Sequence, residues 1–519
     1  MDVTKSNIVD KYPLCQAVIT AAKQAGYSYT EDANGYMQEG FGTFDLTIKD
    51  GKRCGTGKAY MQAVKKRKNV DIFLKSQVQK IIIKNKTAKG IEITNKNRKE
   101  EIFADREVII SCGSINSPQL LMLSGIGNAS ELQKLNIEVI HNLPGVGKNL
   151  QDHLEIYTQF KCIQPVSLYS LFNNPMVKVY QGIQWFLFKK GMLSHTHLEA
   201  GGFVRSSEDY DRPNLQFHFF PSLVINHGLG KPDCHAFQFH TSPNRPTSRG
   251  WIKLRSPNPN DYPIIQFNYL ETEDDRKQMR DSVRIARNIF FQDAFKPYLG
   301  EEISPGIDKK SDEDLDEVIR NNADTAYHPS CTNKMGVDQM SVVDSETKVY
   351  GIENLRVVDS SIMPNIISGN IHAATLMIAE KASDLILDKQ EAEPIDVEYY
   401  QSNCDLVLES TIESLFITEK TWKPIVFQKP FLVWGGQGIH AKLKDLGFEL
   451  YDELFDYSFD GGVFDPNWRR LNRLSDSIES YMQMEPDIFA KKIKTVKDKI
   501  VFNYNHYCEL FDVEQSKRI

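Results

Sequence analysis

Apolar positions recur at helical spacing in Ala17-Val18-Ile19 to Ala21-Ala22, and Gly26 closes that run. A glycine-rich stretch follows, Asn34-Gly35 through Gly40-Phe41-Gly42. Short apolar runs separated by lysine-rich turns then predict strands at 70–74, 78–83 and 108–111, at water-exposed edges and hairpins. Residues 113–119 form a small-residue turn leading into an apolar helix, with Pro118 in its first turn. From about 155 to 320 the pattern mixes strands, at 215–219 and 250–254, with helices such as 281–291. Residues 354–359 predict a buried strand, and a helix starts near Asn370 and runs through Ala373, Met377, Ala379 and Ala382 to Ile386. A charged segment ending in Pro394 reads as a linker. Beyond it, 405–408 and 430–434 read as strands with amphipathic helices afterwards, and neither repeats nor low-complexity tracts occur.

A chain of 519 residues is too long for one core; at about 150 residues per domain it holds three or four units, or two large ones. Hydrophobic residues at 41% and charged residues at 25% exclude wholesale disorder, collagen and membrane spans. The net charge of −7 gives no footing for nucleic acid. The 8 cysteines form no C-x-x-C pair, so they read as reduced thiols, with neither a disulfide framework nor a metal site. The first residues lack the apolar core of a signal peptide, which points to a cytoplasmic location, or a peripheral one at the inner membrane.

Two segments carry candidate chemistry. Ala326-Tyr327-His328-Pro329-Ser330-Cys331-Thr332 fixes a histidine between an aromatic residue and a proline. Val358-Asp359-Ser360-Ser361-Ile362-Met363-Pro364 leads to Ser368-Gly369-Asn370-Ile371-His372 at a helix start. Free N–H groups there suit an electron-rich ligand atom, such as the carbonyl edge of a reduced flavin. On the pattern alone, a satisfied core histidine and an ordinary capping asparagine are the favoured reading. His218, on an alternating strand, reads as structural.

Gly113-Ser114-Ile115-Asn116-Ser117-Pro118-Gln119 running on to Gly127, Leu143-Pro144-Gly145-Val146-Gly147-Lys148-Asn149-Leu150-Gln151-Asp152-His153, Tyr327-His328-Pro329-Ser330-Cys331-Thr332 and Asn354-Leu355-Arg356-Val357-Val358-Asp359 together resemble the glucose–methanol–choline (GMC) oxidoreductases. Within them the choline dehydrogenase group is most similar, over about residues 8–388. The resemblance implies FAD-dependent oxidation of a primary alcohol to an aldehyde, with a small choline-like substrate and an electron acceptor left open, a membrane-associated one included. It implies His328 as the base and Asn370 as the partner that holds the alkoxide. Asp359, Ile371 and His372 match positions facing the flavin and its ribityl chain, and Val78 one packing on the adenine. His372 departs from the asparagine usual in the choline dehydrogenase group. Glu199 corresponds to the acid that pairs with the choline headgroup, against its reading as a solvated strand-edge glutamate; His227 is a further pocket candidate. The implied fold is α+β: a partial FAD-binding region (1–154), a substrate-binding cap with a mixed sheet (155–321), a flavin-contacting catalytic region (322–388) and a separate small α/β unit (397–519).

The family opens with a βαβ unit carrying G-x-G-x-x-G for the pyrophosphate, and residues 1–60 contain no such strand–glycine–helix. The expectation is therefore a truncated chain that binds FAD poorly, with uncovered sheet edges. Residues 408–410, 416–424 and 430–436 resemble the donor-binding half of fucosyltransferase-like glycosyltransferases. That resemblance implies Glu409, Glu419 and Lys420 against a nucleotide sugar; a charged helix start after a buried strand explains the same residues. A glycosyltransferase fragment and a non-catalytic remnant stand as the alternative readings.

Overall fold

The computed structural model describes residues 2–5, 12–96, 98–225, 228–390, 405–408 and 431–434. The chain divides into two units, Met1–Asp384 and Leu385–Ile519. In the second, strands Asp405–Leu408 and Phe431–Trp434 pair in parallel. The expected Glu409, Glu419 and Lys420, and the helices beyond 434, lie outside the described residues, as does His227.

The first unit opens with α1 (Pro13–Gln24), which starts on a proline suited to the first helical turn and buries Leu14, Val18, Ala21 and Ala22 along one face. Gly26, at φ +95°, follows its end. Next come β1 (Gly40–Thr43) and the antiparallel meander β2 (Ser76–Lys84), β3 (Thr87–Asn95) and β4 (Arg98–Phe103). The strand expected at 70–74 is absent: those residues are irregular, pair with no strand among the described residues, and leave Ile72, Phe73 and Leu74 exposed. β5 (Val108–Ile110) leads through Gly113, at φ +79°, into α2 (Gly113–Leu123). Pro118 therefore sits inside this helix and not in its first turn. A proline there cannot donate to the carbonyl four residues back. That carbonyl, on Ser114, instead accepts from Thr332 Oγ1 at 2.6 Å, which ties the helix to the His328 segment.

The remaining elements are β6 (Leu154–Cys162), α3 (Pro175–Phe188), β7 (Ala200–Val204), β8 (Leu215–Phe220), β9 (Ala236–Pro243), α4 (Glu273–Phe290), β10 (Leu299–Ser304), α5 (Asp312–Asn322), β11 (Leu355–Val357) and α6 (His372–Gln390). Thr272 caps α4 and Ser311 closes a capping box on α5, each ahead of an acidic first turn. Among the described residues, no helix is long and apolar enough to cross a membrane.

The largest sheet runs β10-β6-β9-β8-β7-β1. The expected mixed sheet is antiparallel at each of these pairings, which lets helices cover one face while the other stays open. Its pleat sorts the side chains. Leu215, Phe217 and Phe219 of β8, Phe237 and Phe239 of β9, and Phe160 of β6 enter one core with α1 and with Ala286, Ile289 and Phe290 of α4. Phe239 and Phe290 stack at 4.6 Å between ring centroids. The alternate residues, Gln216, His218, His240, Ser242, Glu155 and Tyr157, face a cleft. His218, expected as structural, is thus on the cleft wall.

A second core lies under α2, β2 and the parallel pair β5–β11. There Arg356 is almost wholly enclosed and bonds the Glu107 carboxylate at 2.6 Å. Among the described residues β5 pairs with β11 alone, and Ile109 is exposed. On α3 an apolar stripe of helical spacing (Met176, Val179, Tyr180, Ile183, Leu187) faces outward, while Trp185 Nε1 anchors the opposite side on the Gly51 carbonyl at 2.8 Å.

Candidate active site

One short stretch before β6 draws the two candidate segments together. Asn149 Nδ2 donates to the Pro364 carbonyl at 3.0 Å, and Gln151 Oε1 accepts from Ile366 N at 3.1 Å, so both hold the loop that carries Asn370. Gln151 and Ser330 exchange main-chain hydrogen bonds, and Asp152 Oδ1 accepts from His328 N at 2.8 Å. Asp152 Oδ2 also accepts from Thr325 Oγ1 at 2.5 Å and from the Tyr269 hydroxyl. These bonds hold a strained turn: Tyr327 sits at φ +60° and Cys331 at +74°, unusual for side chains of their kind. Burial pushes the Asp152 carboxyl above its usual range despite the hydrogen bonds that favour its charged form.

His328 and Asn370, 42 positions apart, meet here with Nε2 and Nδ2 3.4 Å apart. Asn370 Oδ1 accepts from Gln216 Nε2 at 3.2 Å. Gly369 needs its left-handed φ of +82°, and a Cβ there would lie 3.1 Å from the Phe203 ring, so the loop presses closely on the sheet. His328 Nδ1 lies 3.0 Å from His153 Nδ1, the rings nearly perpendicular, and His153 Nε2 lies 3.0 Å from the Asn244 carbonyl.

The cleft beside His328 and Asn370 encloses about 360 Å³. Its far wall carries Glu155, whose Oε1 is 3.1 Å from His240 Nδ1. Gln238 Oε1 accepts from Gln159 Nε2 and Val224 N, so its amide nitrogen is the group that donates to His240 Nε2 at 2.7 Å. His240 therefore turns its Nδ1–H to Glu155. Burial alone would raise the Glu155 carboxyl, but hydrogen bonding, first of all from His240, holds it below its usual range. Burial pushes His328 below its ordinary value, with Glu155 pulling the other way. Burial, and then the neighbouring His240, take His218 down to about 4; burial and His328 take His153 down to about 3. The site thus keeps His153, His218 and His328 neutral near an anionic carboxylate.

The other expected residues fall as follows. Glu199 is almost fully buried; its Oε1 accepts from Thr196 N at 3.1 Å and lies 3.1 Å from His195 Nδ1, off-axis for a hydrogen bond. It is not among the residues lining the cleft, where Glu155 and Asp324 supply the carboxylates. Asp359 commits its oxygens within the fold, to Gly113 N at 2.9 Å, Ser117 Oγ at 2.5 Å and Ser361 N at 2.8 Å, which fixes the start of α2. Val78 is half-buried on β2, and Ile371 packs beside Cys331, Met363 and Ile366. His372 begins α6 and is exposed. Asp152, His153, Glu155, Gln216 and His240 were not singled out from sequence; Asp152-His153 stood in the motif without a role, and the strand alternation was the signal for the other three.

The residues present fit the isoalloxazine end of FAD. An exposed carboxamide and a half-buried imidazole stand side by side, directly ahead of an exposed helix N-terminus whose first N–H groups seek acceptors. Among the described residues no G-x-G-x-x-G turn offers a place for the pyrophosphate. Nor does any cluster of three or more His, Cys, Asp or Glu there suit a metal ion.

Family models described as GMC oxidoreductase match residues 1–155 and 246–379. The chain is 49% identical over 392 residues to the mitochondrial choline dehydrogenase of Mus musculus and 48% identical to that of Homo sapiens; each match covers 75% of this chain and 66% of the relative. It is 47% identical over 394 residues to an oxygen-dependent choline dehydrogenase of Pseudomonas fluorescens, covering 75% and 69%. The chain therefore spans slightly less than two thirds of the length of its mouse and human relatives. Among solved structures, pyridoxine 4-oxidase from Mesorbium loti aligns at 28% identity with a TM-score of 0.65 over 74% of this chain and 71% of that one. Formate oxidase aligns at 24% identity with a TM-score of 0.71, over 75% and 72%, a likeness of fold. With its two candidate segments brought together and these matches over most of its first unit, the chain belongs to the GMC oxidoreductase family.

Proposed function

We propose that this chain serves FAD-dependent oxidation of a primary alcohol to an aldehyde, with a choline-like substrate. The observation that carries the reading is the meeting of His328 Nε2 and Asn370 Nδ2 beside a cleft whose other wall holds an anionic glutamate. FAD, when bound, supplies the two-electron acceptor for the hydride of the alcohol carbon. The chain's own residues handle the oxygen and the headgroup. His328 Nε2 takes the hydroxyl proton, Asn370 Nδ2 donates to the resulting alkoxide oxygen, and Gln216 keeps that carboxamide turned the right way by bonding its oxygen. Glu155 faces a quaternary ammonium, assisted by the adjacent Tyr157 ring. The relatives' names point to choline, and a cleft lined by the carboxylates of Glu155 and Asp324 favours an alcohol carrying a positive charge.

The test is anaerobic mixing of the FAD-loaded chain with choline, following flavin absorbance. Bleaching is expected in the wild type and a rate about 10²–10⁴-fold lower in His328→Gln. Flavin that choline leaves unreduced, or a His328→Gln variant as fast as wild type, refutes the proposal.

A further inference from the structure

We propose that His153 is a positioning residue that sets which nitrogen of His328 carries the proton, leaving Nε2 as the lone pair that meets the substrate hydroxyl. The inference rests on the reading of His328 as the base and assigns the group that prepares it.

The argument starts from an atom that can only accept. The Asn244 carbonyl lies 3.0 Å from His153 Nε2, so that nitrogen bears the proton. His153 is almost completely buried, and its depressed basicity keeps the ring neutral. A neutral imidazole with its proton on Nε2 has a lone pair on Nδ1. At 3.0 Å from that lone pair stands His328 Nδ1, which must donate. Neutral His328 then has no proton on Nε2, the nitrogen beside Asn370 Nδ2. The amide donates there, and its oxygen accepts from Gln216. The order of protons thus runs through four side chains from one main-chain carbonyl. The opposite tautomer of His328 would set two lone pairs face to face in a buried site and leave nothing to receive the substrate proton.

Proton transfer fits this order. The substrate O–H bond breaks, an N–H bond forms on His328 Nε2, and the positive charge stays on His328. Its Nδ1–H goes on donating to His153, which neither gains nor loses a proton. Asp152 holds the main chain of the same residue through His328 N, so the adjacent pair 152–153 fixes both the backbone and the ring of the base.

The experiment records ring nitrogen signals of the full chain labelled with ¹⁵N-histidine, with His328→Gln used to assign the His328 signals. Wild type is expected to show a protonated Nδ1 and an unprotonated Nε2 for His328, and the reverse for His153. In His153→Leu, which lacks an acceptor, His328 should become a mixture of tautomers. His153→Asn, whose Oδ1 takes the place of Nδ1, should restore the Nδ1–H form. In FAD-loaded protein, choline-dependent flavin reduction should fall about 10–100-fold in His153→Leu and recover most of that loss in His153→Asn. A wild-type His328 protonated on Nε2 overturns the proposal, as does a His153→Leu spectrum unchanged at His328. If His153→Leu does not fold, the wild-type and His153→Asn spectra decide. The spectra need neither flavin nor substrate, so a chain that never oxidises choline yet shows the Nδ1–H form of His328 refutes the proposed activity and leaves this assignment standing.

Discussion

Lowering the pH from about 7.5 to about 5 probes how firmly the fold holds His153 and His218 neutral, because both titrate near 6.5 in an unfolded chain. In the fold their values are about 3 and about 4, with burial the largest cause in each. The unfolded chain therefore takes up protons first. Stability contributed by each neutral ring is complete above 6.5, declines as the pH drops below it, and levels off once the folded value is passed. At about pH 5 protonation favours the unfolded state by about 2 kcal/mol per ring, while the folded rings gain almost nothing, so the pair costs about 4 kcal/mol. That is a large share of the roughly 5–15 kcal/mol that stabilises a typical domain. His141, His197 and His235, also depressed by burial, act in the same direction; Asp152, raised by burial, opposes them at lower pH. The assay is guanidinium unfolding followed by near-UV circular dichroism at steps between those pH values. The wild type should lose at least about 4 kcal/mol, the share of these two rings, and His218→Gln about 2 kcal/mol less than wild type. A flat profile, or a His218→Gln profile as steep as wild type, would refute the reasoning.

Neutralising the two candidate carboxylates separates their roles. Glu155→Gln should raise KM for choline about tenfold while leaving KM for an uncharged alcohol of similar length unchanged, and Glu199→Gln should do neither; the reverse pattern would restore the headgroup assignment implied by the resemblance. Phe239→Ala, in the middle of the ring cluster against Phe290, should cost about 3–5 kcal/mol in denaturant unfolding, whereas Leu187→Ser on the outward stripe of α3 should change it by less than about 0.5 kcal/mol. Gly201→Ala would place a Cβ 2.0 Å from the Phe217 carbonyl oxygen and 2.4 Å from the Phe44 ring, so the soluble yield should collapse; a normally folded variant, judged by circular dichroism, would show that β7 and β8 are less closely apposed than the structure has them.

Much of the wall was legible as pattern. The Leu215-Gln216-Phe217-His218-Phe219 alternation marks a strand with one buried face. What alternation withholds is the identity of the other face, and so His218 read as structural although its side of the sheet lines the cleft. Pro118 misplaced the start of α2 because the cost of a proline within a helix is offset by Thr332, a partner over 200 positions away. The apolar run at 70–74 has the composition of a strand but pairs with none among the described residues, which local propensity does not reveal. The segments of His328 and Asn370 stood out as residues, and motif likeness supplied their roles. The parts of Asp152 and His153 emerge only from long-range contacts, as a ring 175 positions away and a carbonyl 91 positions away decide what His153 does.

The phenylalanine layer and the cleft wall are two sides of the same ribbons, which constrains how this protein can change. Deleting or inserting one residue within β8 or β9 would turn phenylalanines into the cleft and glutamine and histidine into the interior, so a single slip forfeits the chemistry and the fold at once. Exchanging side chains only at alternate positions, such as Tyr157, Gln216 and Ser242, leaves the opposite layer intact. Substrate preference can therefore drift along these strands in steps of two, while length is frozen.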